Sequence, residues 1–174
     1  TAIAKLAHGM PRELLVPQGV AYLANSARSD AVTLPAIAVG VGIGVFGGRR
    51  WAPFAVGVVL HLAYTVWIGG DYMAGRFFAA PLLVAVCIGL DVLPRPSVDQ
   101  ALAFGMGVVG LALATPYPHL LSGPGYGAGR VSWGDLIDAA GIGDSRAYWY
   151  RCAGLLSSDR PEVPDCHRRS QVAG

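Results

Sequence analysis

The chain has 174 residues with 13 Lys and Arg against 11 Asp and Glu, a net charge of +2. Its composition is 53% apolar and 14% charged with a mean hydropathy of +0.48, against about 25% charged residues in an average soluble domain, which predicts an all-α integral membrane protein. The small net charge, with no basic run interleaved with aromatics, gives no footing for a nucleic-acid surface.

The chain opens on Thr-Ala-Ile-Ala-Lys-Leu, without Met, a charged leader or an apolar core, so no signal peptide is read there. Residues 11 to 28 set Leu14, Leu15, Val20, Tyr22 and Leu23 among Arg12, Glu13, Gln18, Asn25 and Arg28. That mixture predicts an interfacial helix broken near Pro17, which either forms the rim of a site for a lipid-linked substrate or merely connects. Residues 1 to 30 are therefore read as an extracytoplasmic interfacial segment.

Four apolar runs follow, at residues 31 to 48, 51 to 70, 77 to 94 and 98 to 115. Each approaches the roughly 20 residues that span a bilayer, so residues 31 to 116 are predicted to form four transmembrane helices. Their separators, Arg49-Arg50, the Gly-Gly-Asp stretch and Pro94-Arg95-Pro96-Ser97, are too short for anything but antiparallel neighbours. Gly40, Gly44 and Gly48 have the small-xxx-small spacing of close helix contact. Gly105, Gly107 and Gly110 match a nucleotide-binding pattern but sit inside an apolar run with no preceding strand, so they are read as packing residues. His61 falls mid-run, as a proton relay or as a polar group bonded within the bundle. Trp51, Tyr64 and Trp67 suit interfacial belts, and Asp91 and Asp99 lie near helix ends.

Between the second and third runs, residues 69 to 81 place Asp71 and Arg76 where the chain leaves the apolar layer. Glycines there permit turns closed to other residues. A guanidinium grips phosphate through paired hydrogen bonds while a carboxylate accepts from hydroxyls. The pair therefore serves either an anionic, hydroxyl-rich ligand or an ion pair that closes a hairpin.

From residue 117 onward Gly, Pro, Ser and charge mark an extracytoplasmic, loop-rich tail, with a short helix predicted over residues 133 to 140. Tyr148, Trp149 and Tyr150 form an aromatic stretch suited to sugar stacking or to packing. Cys87, Cys152 and Cys166 lack ligand spacing, so no metal site is expected, and Cys152 with Cys166 is a disulfide candidate outside the cytoplasm. The polar ends predict further spans before Thr1 and a larger soluble domain after Gly174. Charge alone leaves orientation open, with Arg49, Arg50 and Arg95 on one side and Lys5, Arg12, Arg28 and Arg76 on the other.

Three stretches carry a family resemblance: Thr1-Ala2-Ile3-Ala4-Lys5-Leu6, then Pro11-Arg12 with Gln18-Gly19-x-x-Tyr22-Leu23, and most specifically Gly69-Gly70-Asp71-Tyr72-Met73-Ala74-Gly75-Arg76. Together they resemble the polyprenyl-phosphate-dependent arabinofuranosyltransferases of actinobacterial cell walls, with Tyr72 in place of that family's Phe. The resemblance covers roughly residues 1 to 90. It implies a multi-pass GT-C glycosyltransferase of the plasma membrane, using decaprenyl-phosphate arabinose as donor and arabinan ends as acceptor. It puts the Gly-Gly-Asp loop and the tail outside and Arg49, Arg50 and Arg95 in the cytoplasm.

On that resemblance Arg76 and Lys5 meet the donor phosphate, Asp71 orients sugar or acceptor, and Tyr72 supplies a ring to the same site. The catalytic base of such enzymes belongs to a loop preceding Thr1, so these residues alone are expected to transfer no sugar. No cofactor is evident, and divalent-metal dependence is not fixed by the sequence. A transporter, with polar groups along a mid-membrane path, and a non-catalytic membrane scaffold are the other classes.

Overall fold

The computed structural model describes residues 10–114 and 137–144, and these contain five α-helices and no strand. Helix α1 spans Arg12–Ser29 and runs unbroken through Pro17. The predicted break is thus corrected: Pro17 lies in the second turn, where its missing N–H leaves only the Glu13 carbonyl without its helical partner. Leu15, Gly19, Tyr22 and Ser26 form the buried stripe. Their spacing of four, three and four residues keeps them on one helix face.

A bend of 106° separates α1 from α2, Thr33–Phe46. Asp30 shapes it by accepting from the backbone N–H groups of Val32 at 2.9 Å and Thr33 at 3.1 Å and from Thr33 Oγ1 at 2.6 Å. Helix α3 is Ala52–Trp67 and α4 is Ala79–Val92, preceded by a 3-10 turn at Arg76–Phe78. α2 and α4 pack closely and in parallel. Gly40 lies against Ala85, Gly44 against Ile88 and Gly47 against Val92, and a Cβ on Gly40 would sit 2.4 Å from that of Ala85. α3 runs opposite to α4, since Trp51 at its start donates to Asp91 Oδ2 at the end of α4 across 2.6 Å. Arg50 also approaches Asp91, at 3.5 Å. The shared core holds Tyr22, Ile37, Val58, Phe78 and Ile142.

Helix α5, Val98–Leu113, starts at a capping box in which Gln100 N donates to Ser97 Oγ at 3.3 Å and Ser97 N to Gln100 Oε1 at 3.0 Å. It buries no residue. No described atom lies within 4 Å of where a Cβ on Gly105, Gly107 or Gly110 would fall, so the packing expected of them is not seen among the described residues.

Four transmembrane helices are not what these runs form: among the described residues no single helix is long and apolar enough to cross a membrane. α2 and α4 have 14 residues and α3 and α5 have 16. At 1.5 Å per residue that is about 21 to 24 Å, short of a hydrocarbon core about 30 Å thick. The apolar runs overstate the helices because their ends go into turns. Gly47-Gly48 follow α2, Ile68-Gly69-Gly70 follow α3, and Phe77 and Phe78 belong to the 3-10 turn. Among the described residues only α1 and α2 taken together pass by length and apolarity, and they are sharply bent. The helix predicted over residues 133 to 140 is corrected too, since residues 137 to 140 form a turn with an antiparallel bridge between Ile137 and Gly143. Lys5, Cys152, Cys166 and the aromatic stretch lie outside the described residues.

Candidate functional site

The loop after α3 is shaped by two successive glycines in the left-handed region, Gly69 at φ 76° and Gly70 at φ 63°. Their N–H groups return to the last turn of α3, to Val66 O at 3.1 Å and Thr65 O at 2.8 Å. Gly70 also lacks a Cβ for a steric reason, because one would fall 2.5 Å from Cγ of the Tyr22 ring. The chain is thereby turned down onto α1, and Asp71 follows at 2% exposure. Its Oδ1 accepts from Tyr72 N at 2.9 Å and its Oδ2 from Arg76 Nη1 at 3.3 Å. A buried carboxylate requires such partners.

Tyr22 ties the loop from below. Its hydroxyl donates to Met73 O at 3.0 Å and accepts from Phe77 N at 3.3 Å, while its ring stacks on Phe78 with centroids 5.2 Å apart. Burial pushes its phenol above the usual range and the Asp71 carboxylate adds to this, against hydrogen bonds from the Phe77 and Arg76 backbone and the Arg76 charge.

In front of this loop lies a groove of about 290 Å³. Arg76, Gly75 and Ala74 form one wall; Ser26, Ser29, Asp30 and Thr33, from the α1–α2 bend, form the other; Phe78, Ala79 and Leu82 also line it. The Arg76 side chain is 55% exposed. Beyond Asp71, the described residues give its guanidinium only the Met73 sulfur, at 3.7 Å from Nη1. Nε and Nη2 have no protein partner among them. The arrangement is a cation anchored from behind by a buried carboxylate and presented beside three hydroxyls and the Asp30 side chain.

Of the residues expected in a site, Arg76 lines the groove, Asp71 contacts Arg76 from the buried side, and Tyr72 is half exposed and outside the lining. Lys5 lies outside the described residues. His61 is tied to the backbone of the same loop, with Nε2 3.0 Å from Phe77 O, and does not line the groove. No cluster of three metal-ligating side chains occurs among the described residues. The sequence reading overlooked Ser26, Ser29, Asp30 and Thr33. Their signal was a run of small polar residues at the junction of an amphipathic helix and an apolar one.

No protein-family model, no curated protein and no solved structure matches the chain. The likeness to arabinofuranosyltransferases thus rests on the quoted motifs.

Proposed function

We propose that the chain is part of a membrane-associated glycosyltransferase that moves arabinofuranose from a polyprenyl-phosphate donor to the ends of an arabinan acceptor, with Arg76 holding the donor phosphate. The observation that carries this is the Arg76 guanidinium, paired to buried Asp71 and with Nε and Nη2 unpartnered among the described residues, in a groove whose other wall sets Ser26, Ser29 and Thr33 beside Asp30. Transfer breaks the bond from the anomeric carbon to the phosphate oxygen as an acceptor hydroxyl attacks that carbon and gives its proton to a general base. Negative charge grows on the departing phosphate, and a guanidinium held in place by Asp71 stabilises it through charge-assisted hydrogen bonds. Ser26 and Ser29 offer hydrogen bonds to phosphate or sugar oxygens, while the Thr33 hydroxyl, which donates to Asp30, is left to accept from a sugar hydroxyl. The outward side of α4 supports a lipid-linked donor, because Leu83, Val86 and Leu90 are 65%, 47% and 80% exposed and give an isoprenoid chain an apolar surface.

The test is arabinose transfer by the protein in membranes. Arg76→Lys keeps the charge beside Asp71 but loses the planar fork. It should raise the donor KM about tenfold, roughly 1.4 kcal/mol of binding, at equal protein level. An unchanged donor KM would make Asp71 and Arg76 a hairpin ion pair only, as in a scaffold. Absence of transfer in the wild type would overturn the proposal.

A further inference from the structure

Residues 137–144 reach the loop from far along the chain, and their geometry is set by one carboxylate. Asp138 Oδ1 accepts from Ala140 N and Ile142 N, each at 2.9 Å, and the Asp138 N–H donates to Ile142 O at 2.9 Å. This compact turn buries Ile142 to 1% exposure within the Tyr22 and Phe78 cluster. It also presents Gly143 to the loop in a parallel bridge with Met73. Gly143 N donates to Tyr72 O at 2.7 Å, and Gly143 O accepts from Ala74 N at 3.0 Å.

The turn is fastened to α1 as well. Gln18 Nε2 donates to Ala140 O, and Asn25 Nδ2 donates to Asp138 Oδ2 at 2.8 Å. Gln18, Tyr22 and Asn25 are spaced i, i+4 and i+7, so one face of α1 grips the turn at two points and the loop at a third. The Met73 backbone is consequently bracketed, with Gly143 on its flanking peptides and the Tyr22 hydroxyl on its carbonyl. Ala74, Gly75 and Arg76, the next three residues, form the groove wall.

We infer that residues 137–144 belong to the donor site, and that Asp138 is a positioning residue that sets Arg76 through Gly143 and Met73; this rests on the donor-binding reading above. The turn at residues 137–144 is then part of the site, and donor affinity depends on whether the turn is seated. A turn that only packed would affect stability without a selective effect on the donor.

The experiment uses the protein in membranes, with transfer kinetics and hydrogen exchange of the peptide covering residues 70–78. Asp138→Ala removes the turn's acceptor and the tie to α1. Asn25→Ala removes only the tie and leaves the turn able to form, so it decides the matter if Asp138→Ala fails to accumulate. Asp138→Asn keeps the Oδ1 acceptor and, with the Asn25 amide turned over, the tie. Both Ala variants should raise donor KM about tenfold, with kcat within about twofold, and speed exchange over 70–78, while Asp138→Asn stays near wild type. Unchanged KM and exchange in the Ala variants, or Asp138→Asn as impaired as Asp138→Ala, would overturn the inference. If the wild type transfers no arabinose, the functional reading falls and exchange alone decides: faster exchange in the Ala variants upholds the positioning of the loop, and unchanged exchange overturns it.

Discussion

The loop at residues 69–78 and helix α5 lie on either side of α4, and both begin from clear local signals. The loop has its glycines, at positive φ, and α5 has its Ser97 capping box. Beyond those signals they differ. The loop is held by Tyr22 from α1, by Gly143 from the tail, and by Phe78 and Asp71 buried within it. α5 buries nothing and leaves Phe104 and Met106 75% and 70% exposed. Helix geometry can be specified by capping and propensity alone. A loop with a buried charge cannot, because its polar groups need partners that only distant segments supply.

Paired glycine substitutions should separate the two regions most widely. Gly70→Ala puts a Cβ against the Tyr22 ring at a left-handed residue, combining conformational strain of about 1 to 2 kcal/mol with overpacking of about 1 to 3 kcal/mol. Unfolding of the purified protein should show a loss in that combined range. Gly107→Ala, in the open middle of α5, should instead stabilise by about 0.5 to 1 kcal/mol. Equal effects at the two positions would erase the contrast between the loop and α5.

A smaller effect is expected from Tyr22→Phe, which keeps the ring but deletes the hydroxyl that serves Met73 and Phe77, a loss of about 1 to 2 kcal/mol. Its pH signature sharpens the comparison. Because burial raises the Tyr22 phenol in the folded state, the unfolded chain loses its proton first as pH climbs. The contribution is thus fully present below the unfolded value near 10 and is lost as pH rises from there through the folded value. Wild type should lose more stability than Tyr22→Phe above about pH 10, as unfolding at stepped pH would show. Parallel curves would mean that Tyr22 is not held as described.

The apolar runs made helices α2 to α5 legible but not their ends. Counting hydrophobic residues does not distinguish Val45 inside α2 from Gly47 and Gly48 beyond it, nor Leu60 inside α3 from Ile68 in the turn after it. That small error at each end turned helices of 14 and 16 residues into apparent spans. In the site, the meeting of Asp71 with Arg76 was readable because they are five residues apart in a glycine-bounded loop. The groove's second wall was not, since it depends on the 106° bend that brings Ser26, Ser29 and Thr33 round to Arg76. The role of Asp138 was hidden for the same reason: its contacts with Asn25 and, through Gly143, with the loop join segments that no local pattern links.

The most direct test is thermal unfolding of the protein titrated with polyprenyl phosphate, comparing wild type with Arg76→Lys. A ligand that binds only the folded state raises the midpoint with concentration. The account predicts a rising midpoint for wild type and a response needing about tenfold more ligand for Arg76→Lys. Identical curves, or no response in wild type, would contradict a phosphate held by Arg76.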